Sequence, residues 1–257
     1  MVKISAPLPL LLCWMLLMDP EMILLGSPEP IELNMADETV DDMFNGCAEE
    51  MEKKISQKTF KQDDWKEVKK GWSGPCSERE HKTEDNLHKN HKRAICTYTS
   101  YFYATINTAV RSGKNIYGST FKYHEFYYWL TTAIQTLKKQ QQNCHTAYRR
   151  DTNEFTGERD QVFRFGSFTS SSFRTNKTNF GSKTCFKIET CLGAYLKDYP
   201  EFKESEQEVL IPPYEKFRIV DVKVGMGKLK EMEDCLTTYI LKSEGAHSNV
   251  NCRLVNQ

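Results

Sequence analysis

The chain has 257 residues, of which 39% are hydrophobic and 12% aromatic, and this composition excludes a disordered protein. Its 35 lysine and arginine residues balance its 35 aspartate and glutamate residues, and the pI is about 7.0. Because proteins that bind nucleic acids carry a basic excess, we expect no nucleic-acid partner.

Residues 1–26 are predicted to form a secretory signal peptide. Lys3 supplies a positive charge, and Leu8–Met18 is a short apolar run that ends at Asp19. The run is shorter than the roughly 20 residues of a membrane-spanning helix, so we expect no membrane span. The last residues, Asn251–Gln257, form no apolar tail, and we expect no lipid-anchor signal. The mature protein is therefore expected to be secreted or extracellular.

Cysteine usage agrees with export. The chain has nine cysteines, and one of them, Cys13, lies in the signal segment. The others form no C-x-x-C pair, so we expect disulfides and no metal site. The segment Asn176-Lys177-Thr178 is a glycosylation sequon, which predicts a glycan on Asn176.

About residues 37–140 have the pattern of a mainly helical region. Asp41–Lys54 begins with acidic and ends with basic residues, as the helix dipole favours. Tyr127, Leu130, Ile134 and Leu137 repeat at 3-4-3 spacing, which predicts an amphipathic helix. In chain order we expect helices at Asp41–Lys54 and Trp65–Lys70, a short strand at Ala94–Thr99, a helix around Phe102–Val110 that Gly113 ends, and a helix over about Thr120–Gln140.

About residues 144–252 have the pattern of a β-rich region. Runs of β-branched and aromatic residues alternate with glycine-containing turns. Because the helices come first and the strands second, we expect an α+β fold in one domain, residues 27–257. The predicted strands are Val162–Phe165, Thr184–Thr190, Glu208–Ile211, Phe217–Val222 and Leu236–Leu241.

The tripeptide Glu206-Gln207-Glu208 directly precedes an apolar run, Val209–Ile211. If a strand begins near Glu206, the two carboxylates project from one face, about 7 Å apart. Two carboxylates on one face repel each other, and the arrangement is useful for holding a cation or stabilising a positive transition state. The same tripeptide is also compatible with solvated charges at the start of a strand.

Two other segments could contact a phosphorylated ligand. Phe168–Ser172 carries a cluster of hydroxyl groups, which can hold a phosphate or a ribose and can equally form a plain turn. In Tyr148-Arg149-Arg150, an arginine on a strand can clamp a pyrophosphate with its fork of donors. Taken singly, such an arginine is more often a surface residue.

In this order and spacing the three features resemble the Arg–Ser–Glu-x-Glu signature of the vertebrate arginine-specific ecto-ADP-ribosyltransferases. The resemblance extends over about residues 42–252. The segment Phe121–Ile134 is similar to the family's long helix, and Thr190–Ala194 and Glu208–Glu215 are similar to two of its strand segments. The resemblance implies a helical N-terminal half packed on a β-sandwich of two small sheets, with NAD bound in the cleft between the sheets.

The resemblance also implies an activity, which is the transfer of ADP-ribose from NAD to arginine side chains of acceptor proteins. NAD is then a co-substrate, nicotinamide is released, and no metal takes part. The expected partners are NAD and acceptor proteins with an exposed arginine, and a monomer meets these needs. An NAD glycohydrolase and a catalytically silent secreted binding protein on the same fold are the alternative interpretations.

The family signature implies a role for each matching residue. Arg149 is expected to contact the phosphates of NAD, and Ser170 to support the nicotinamide ribose and position the glutamate. Glu208 matches the catalytic glutamate, and Glu206 the glutamate that holds or activates the acceptor arginine. Phe180 matches a family aromatic beside the nicotinamide.

Further expectations follow from the resemblance. It implies the disulfides Cys47–Cys252 and Cys144–Cys191, and we expect the other cysteines to pair as Cys76–Cys96 and Cys185–Cys235. The segment Lys197–Ser205, with Phe202 as a candidate contact, would meet the acceptor protein. Many active members have glycine directly after the motif arginine, whereas this chain has Arg150. The arginine either hinders NAD or points to solvent.

Overall fold

The structure is a computed structural model that describes residues 29–61, 63–72, 76, 85–200 and 206–256. The predicted signal segment and Phe202 lie outside the described residues. The helices are α1 (Ala48–Ser56), α2 (Trp65–Trp72), α3 (Lys89–Thr97), α4 (Tyr103–Arg111) and α5 (His124–Lys139), and a π-helical turn, Tyr98–Phe102, joins α3 to α4.

The helix α5 is the centre of the helical half. Eleven of its residues are buried, among them all four apolar residues whose 3-4-3 spacing predicted it. Buried side chains of α3 and α4 complete the same apolar core, to which Ile95, Phe102 and Ile106 contribute. This helical core is therefore built from the amphipathic pattern of the sequence.

Two predictions for the helical half are wrong. The segment Asp41–Lys54 is helical only from Ala48, because the carboxylates of Asp41 and Asp42 accept hydrogen bonds from backbone N–H groups near the C-terminus. The segment Ala94–Thr99 belongs to α3 and the π-helical turn rather than to a strand. The buried residues Ile95, Tyr98 and Phe102 recur at helical spacing, and all three belong to the helical core.

The strands are β1 (Ile31–Glu32), β2 (His145–Asp151), β3 (Phe155–Thr156), β4 (Val162–Arg164), β5 (Thr169–Ser172), β6 (Thr184–Thr190), β7 (Ala194–Tyr195), β8 (Glu208–Ile211), β9 (Glu215–Val224) and β10 (Thr237–Ala246). Strand β1 pairs with β3, and the other strands of the described chain form one sheet in the order β4-β9-β10-β6-β2-β5-β8-β7. With helices first and this sheet second, the α+β class is confirmed.

The sheet nevertheless has two parts. Strands β2 and β5 are joined by a single residue pair, Tyr148 with Ser172, whereas β2 pairs with β6 along its whole length. The expected two small sheets are thus one sheet that separates almost completely between β2 and β5. This separation leaves the ends of β2, β5 and β8 on either side of an open cleft.

Four disulfides join the described segments, in the pairs that were expected from the sequence. Cys47–Cys252 and Cys144–Cys191 are the two pairs that the family resemblance implied. Cys76–Cys96 and Cys185–Cys235 are the other two. Cys47–Cys252 links residues 205 apart in sequence and so holds the beginning of the helical half against the end of the chain. Disulfides at this density are typical of exported proteins.

Candidate active site

A large cleft opens where the sheet separates, with a volume of about 1300 Å³. Small-molecule sites are commonly about 300–1,000 Å³, so this cleft has room for a ligand as large as a dinucleotide. The π-helical turn and α4 line one side of it, through Tyr98, Tyr103 and Asn107. The residues that the sequence singled out, Arg149, Ser170, Phe180, Glu206 and Glu208, all line the same cleft.

Arg149 bridges the two parts of the sheet. Its guanidinium donates to the main-chain carbonyl of Ser170 at 3.0 Å and to a carboxylate oxygen of Asp151 at 3.0 Å. A guanidinium has five N–H donors, and about a third (32%) of this side chain is exposed toward the cleft. These two hydrogen bonds orient the Arg149 guanidinium, and its other N–H donors can contact an anionic ligand in the cleft.

Ser170 lies on β5 between the arginine and the glutamate. Its hydroxyl hydrogen bonds to the carboxylate of Glu208, and it also contacts the hydroxyl of Tyr98. Tyr98 is fixed in turn, because it donates to the carbonyl of Phe168 at 3.0 Å and accepts from Asn107 at 3.1 Å. The hydroxyl cluster is therefore a strand that faces the cleft and not a plain turn.

Glu208 begins β8 and is buried. Burial raises its pKa from the usual 4.5 to about 7, the negative charge of Glu206 adds to the increase, and the hydrogen bond from Ser170 opposes it. Among the described residues no lysine or arginine forms an ion pair with Glu208. A buried carboxylate without a cation is costly, so Glu208 is poised for a ligand that carries or develops positive charge.

Glu206 reaches the cleft by a different geometry from the one predicted. It lies in a turn, Gln207 has a left-handed backbone with φ of 44°, and β8 begins only at Glu208. The two carboxylates therefore do not project from one face of a single strand. The turn is fixed by a hydrogen bond from the Ser172 hydroxyl to the Glu206 carbonyl at 2.5 Å.

The carboxylate of Glu206 has a partner, since the ammonium of Lys177 lies 2.7 Å from it. Lys177 is part of the short segment 175–181, which also carries Asn176 and Phe180. Asn176 is exposed, and the Phe180 ring is 52% exposed although it lines the cleft. An aromatic ring so exposed beside a cleft is available to stack on a planar ligand.

Arg150 does not point to solvent. Its guanidinium donates to both carboxylate oxygens of Asp234, at 2.8 and 2.9 Å, and to the carbonyls of Thr175 and Gly181. Only 7% of Arg150 is exposed. The interpretation that it faces solvent is wrong, because Asp234, Thr175 and Gly181 hold the guanidinium in a buried position. Arg150 is also among the residues that line the cleft, and its effect on NAD stays a prediction.

Sequence reasoning missed several residues that line the cleft, among them Tyr98, Asn107 and Lys177. Tyr98 and Asn107 were missed because their helical segment was interpreted as a strand and as a core helix. Lys177 was noted only as the middle of a sequon. The structure itself contains a signal for Tyr98, because this residue begins a π-helical turn and such turns are frequent at functional sites.

The fold recurs in a solved enzyme. The eucaryotic mono-ADP-ribosyltransferase ART2.2 in complex with NADH, as a variant lacking one glutamate, is 32% identical and superposes with a TM-score of 0.67. The match covers 87% of this chain and 99% of that chain. Another ART2.2 variant, in complex with NAD, gives a TM-score of 0.66 at the same identity and coverage. The domain described above thus has the fold of a mono-ADP-ribosyltransferase.

Sequence comparison narrows this class to a family. The family model described as NAD:arginine ADP-ribosyltransferase matches residues 33–231. T-cell ecto-ADP-ribosyltransferase 1 of Mus musculus is 33% identical over 88% of this chain and 79% of that protein. Erythroblast NAD(P)(+)--arginine ADP-ribosyltransferase of Gallus gallus is 31% identical over 90% of this chain and 79% of that protein. The chain belongs to the NAD:arginine ADP-ribosyltransferase family.

The remaining findings concern location and metals. The relatives named above include an ecto-enzyme, and the disulfides also indicate an extracellular protein. Within the described residues, no helix has the length and apolar character needed to cross a membrane. The same residues contain no group of three or more histidine, cysteine or acidic side chains arranged to hold a metal ion.

Proposed function

We propose that this protein transfers ADP-ribose from NAD to arginine side chains of acceptor proteins and releases nicotinamide. The observation that carries the proposal is Glu208, a buried carboxylate to which the described residues offer no cationic partner, and which lines one cleft together with Arg149 and Ser170. The membership of this chain in the NAD:arginine ADP-ribosyltransferase family supports the same reaction.

Binding of NAD would use the groups that the cleft already orients. Arg149 retains free donors for the pyrophosphate, and a planar guanidinium is well suited to bidentate contact with phosphate oxygens. Phe180 offers an exposed ring to the nicotinamide. The volume of about 1300 Å³ accommodates the whole dinucleotide.

Cleavage of the bond between nicotinamide and ribose needs stabilisation of positive charge. As this bond breaks, its electron pair leaves with nicotinamide, which departs as a neutral molecule, and positive charge develops on the ribose carbon. The ionised carboxylate of Glu208 would stabilise that charge inside a site of low dielectric. Ser170 would hold the carboxylate in place through its hydrogen bond.

The acceptor is a second problem, because an arginine guanidinium is protonated and is a poor nucleophile until it is positioned. Glu206 lies in the same cleft beside Glu208, and its charge acts on Glu208. We assign Glu206 to holding the guanidinium and accepting its proton as the new bond to the ribose carbon forms. The acceptor protein would approach over the segment Lys197–Ser205.

The test is incubation of purified, disulfide-intact protein with labelled NAD, with and without agmatine as a small guanidine acceptor. We expect labelled agmatine from the wild type and a loss of about a hundredfold or more in Glu208→Gln. Glu244→Gln is the matched control, since Glu244 pairs with Arg218 on an exposed part of the sheet. Equal turnover in Glu208→Gln and the wild type would exclude the proposed role of Glu208.

NAD glycohydrolase activity is the alternative that the same site allows, since water can take the place of the acceptor. Glu206→Ala separates the two reactions, because only the transfer needs Glu206. We expect this variant to lose the agmatine adduct and to keep NAD hydrolysis. If the wild type yields free ADP-ribose and no adduct, hydrolysis is the activity.

A catalytically silent binding protein on the same fold is the other alternative. This alternative predicts no NAD turnover in the wild type and no thermal stabilisation by millimolar NAD. A ligand that binds only the native state must raise its stability, so a thermal shift measures the binding directly.

A further inference from the structure

The Glu206 carboxylate, which we assign to the acceptor guanidinium, already forms an ion pair with a side chain of this protein. The ammonium of Lys177 lies 2.7 Å from a carboxylate oxygen of Glu206, and 20% and 30% of the two side chains are exposed. Both residues line the cleft that also contains Glu208. The ion pair is therefore part of the site and not of the outer surface.

The position of Lys177 is set by contacts on both sides of it. The Arg150 guanidinium donates to the carbonyl of Thr175, two residues before Lys177, and to that of Gly181, four residues after it. Arg150 itself is buried and held by Asp234. The segment 175–181 is thus anchored at each end, and it presents Lys177 to Glu206 from a fixed support.

Lysine and arginine compete for a carboxylate by the same attraction. The Lys177 ammonium is a compact cation with three donors, and an acceptor guanidinium is a planar cation that prefers the same oxygens. The ammonium, 2.7 Å from one oxygen of Glu206, already uses part of the charge and lone pairs that a bidentate guanidinium would use. An incoming arginine therefore competes with Lys177 for the carboxylate.

We propose that Lys177 occupies the acceptor subsite as an internal competitor and so sets the acceptor affinity and the balance between transfer and hydrolysis. This inference depends on the proposed function, because it needs Glu206 to receive the acceptor. Arginine exceeds lysine in bidentate pairing, so a guanidinium displaces the ammonium more readily than an acceptor lysine does. Hydrolysis of NAD needs Glu208 and not Glu206, so it is independent of Lys177.

The experiment compares the wild type with Lys177→Ala, Lys177→Arg and Lys187→Ala. Lys187→Ala is the matched control, because Lys187 forms an ion pair of 2.6 Å with Glu231 that does not line the cleft. Rates are measured at about pH 8.5, where Glu208, with a pKa of about 7, is ionised in every variant. The readouts are the KM for agmatine, the KM for NAD and the rate of NAD hydrolysis without agmatine.

We expect Lys177→Ala to lower the KM for agmatine about two- to fivefold, as loss of a partly exposed ion pair predicts. The KM for NAD and the rate of hydrolysis change less than the KM for agmatine, because the proposed hydrolysis uses Glu208 and not Glu206. Lys177→Arg keeps a cation on Glu206 and has a KM for agmatine equal to or above that of the wild type. Lys187→Ala behaves as the wild type.

The outcomes separate this inference from the proposed function. If the wild type transfers ADP-ribose and Lys177→Ala has an unchanged or higher KM for agmatine, the inference is wrong and the proposed function stands. If the wild type only hydrolyses NAD, an adduct that appears in Lys177→Ala supports the inference, and its absence there overturns it. No NAD turnover in any variant overturns both.

Discussion

Arg149 and Arg150 are consecutive residues of β2 whose guanidinium groups serve opposite faces of the sheet. Arg149 crosses the cleft to the carbonyl of Ser170, and Arg150 forms a two-oxygen ion pair with Asp234 and holds the segment 175–181. A glycine in place of Arg150, the residue that the family resemblance led us to expect, would give up this anchor. The departure from the family pattern is therefore a structural support for the site.

Replacing Arg150 by alanine tests this support. The change leaves the carbonyls of Thr175 and Gly181 without their donor, and Asp234, whose side chain is 41% exposed, can regain water. We expect a loss of about 2 kcal/mol in the free energy of unfolding and a higher KM for NAD, because Phe180 lies on the released segment. Chemical denaturation and steady-state kinetics measure the two effects.

The matched control for that change is Asp234→Asn. It removes the charge of the partner, keeps one acceptor oxygen in place of two and leaves the contacts of Arg150 with Thr175 and Gly181, so we expect a loss of stability of about 1–3 kcal/mol and a KM for NAD near that of the wild type. A KM for NAD that is unchanged in Arg150→Ala would show that the segment 175–181 does not need this anchor.

The pH dependence of NAD hydrolysis follows from the pKa of Glu208. The carboxylate must be ionised to stabilise positive charge, and its pKa in the free protein is about 7. We expect kcat/KM to rise with pH up to a plateau above about pH 7 and to fall about tenfold per pH unit on the acidic side. Initial rates of hydrolysis without an acceptor measure this profile.

Glu206→Gln provides the comparison for the pH profile. Removing the neighbouring negative charge lowers the pKa of Glu208, so the acidic limb should move to lower pH while the plateau rate stays similar. A midpoint that moves to higher pH in this variant would contradict the interaction between the two carboxylates.

The stability of the protein should also respond to Glu208, in the opposite sense to activity. The pKa of Glu208 in the folded state is raised above its ordinary value of 4.5, so its contribution to stability is fully present below about pH 4.5 and is lost as pH rises through about 7. Glutamine imitates the protonated form at every pH.

We therefore expect Glu208→Gln to be more stable than the wild type at about pH 8, by an amount on the order of 3 kcal/mol at most, and nearly equal to it at about pH 5. Thermal unfolding at the two pH values measures the difference. Equal melting temperatures at about pH 8 would mean that Glu208 is solvated and has an ordinary pKa.

A glycan on Asn176 should discriminate between acceptors by size. Asn176 is exposed and directly precedes Lys177, which lines the cleft, so a bulky sugar there stands at its rim. We expect Asn176→Gln to increase transfer to a protein acceptor several-fold and to leave transfer to agmatine unchanged. Both are measured on protein secreted from a glycosylating host.

Thr178→Val is the second variant for that prediction, because it destroys the sequon and keeps Asn176. It should match Asn176→Gln in the loss of the glycan and in the gain with the protein acceptor. Different behaviour of the two variants would attribute the effect to the Asn176 side chain and not to the sugar.

Patterns with local physical causes were predictable from the sequence. The strands Thr184–Thr190 and Glu208–Ile211 have the bounds that were predicted, because their β-branched and aromatic residues are buried on the sheet. The spacing of Tyr127 and Leu130 likewise predicted the central helix α5. The family resemblance selected the residues that line the cleft.

Features that depend on distant partners were not predictable. Asp41 and Asp42 were assigned to a helix, but they bind backbone groups about 208 residues away in sequence. The burial of Arg150 depends on Asp234, 84 residues later, and the pair Lys177–Glu206 joins two segments that only the paired strands β5 and β8 bring together. No local pattern contains this information.

The left-handed backbone at Gln207 has a practical consequence for redesign. Because φ of 44° at this position and not a strand repeat sets the separation of the two carboxylates, the main chain specifies their geometry. Glycine or asparagine at 207 would adopt this conformation readily, whereas valine or isoleucine would resist it. A library of variants that seeks new acceptors can therefore vary residue 207 among unbranched side chains and retain both glutamates. β-Branched residues at this position would change the separation of the two carboxylates in every variant that carries them.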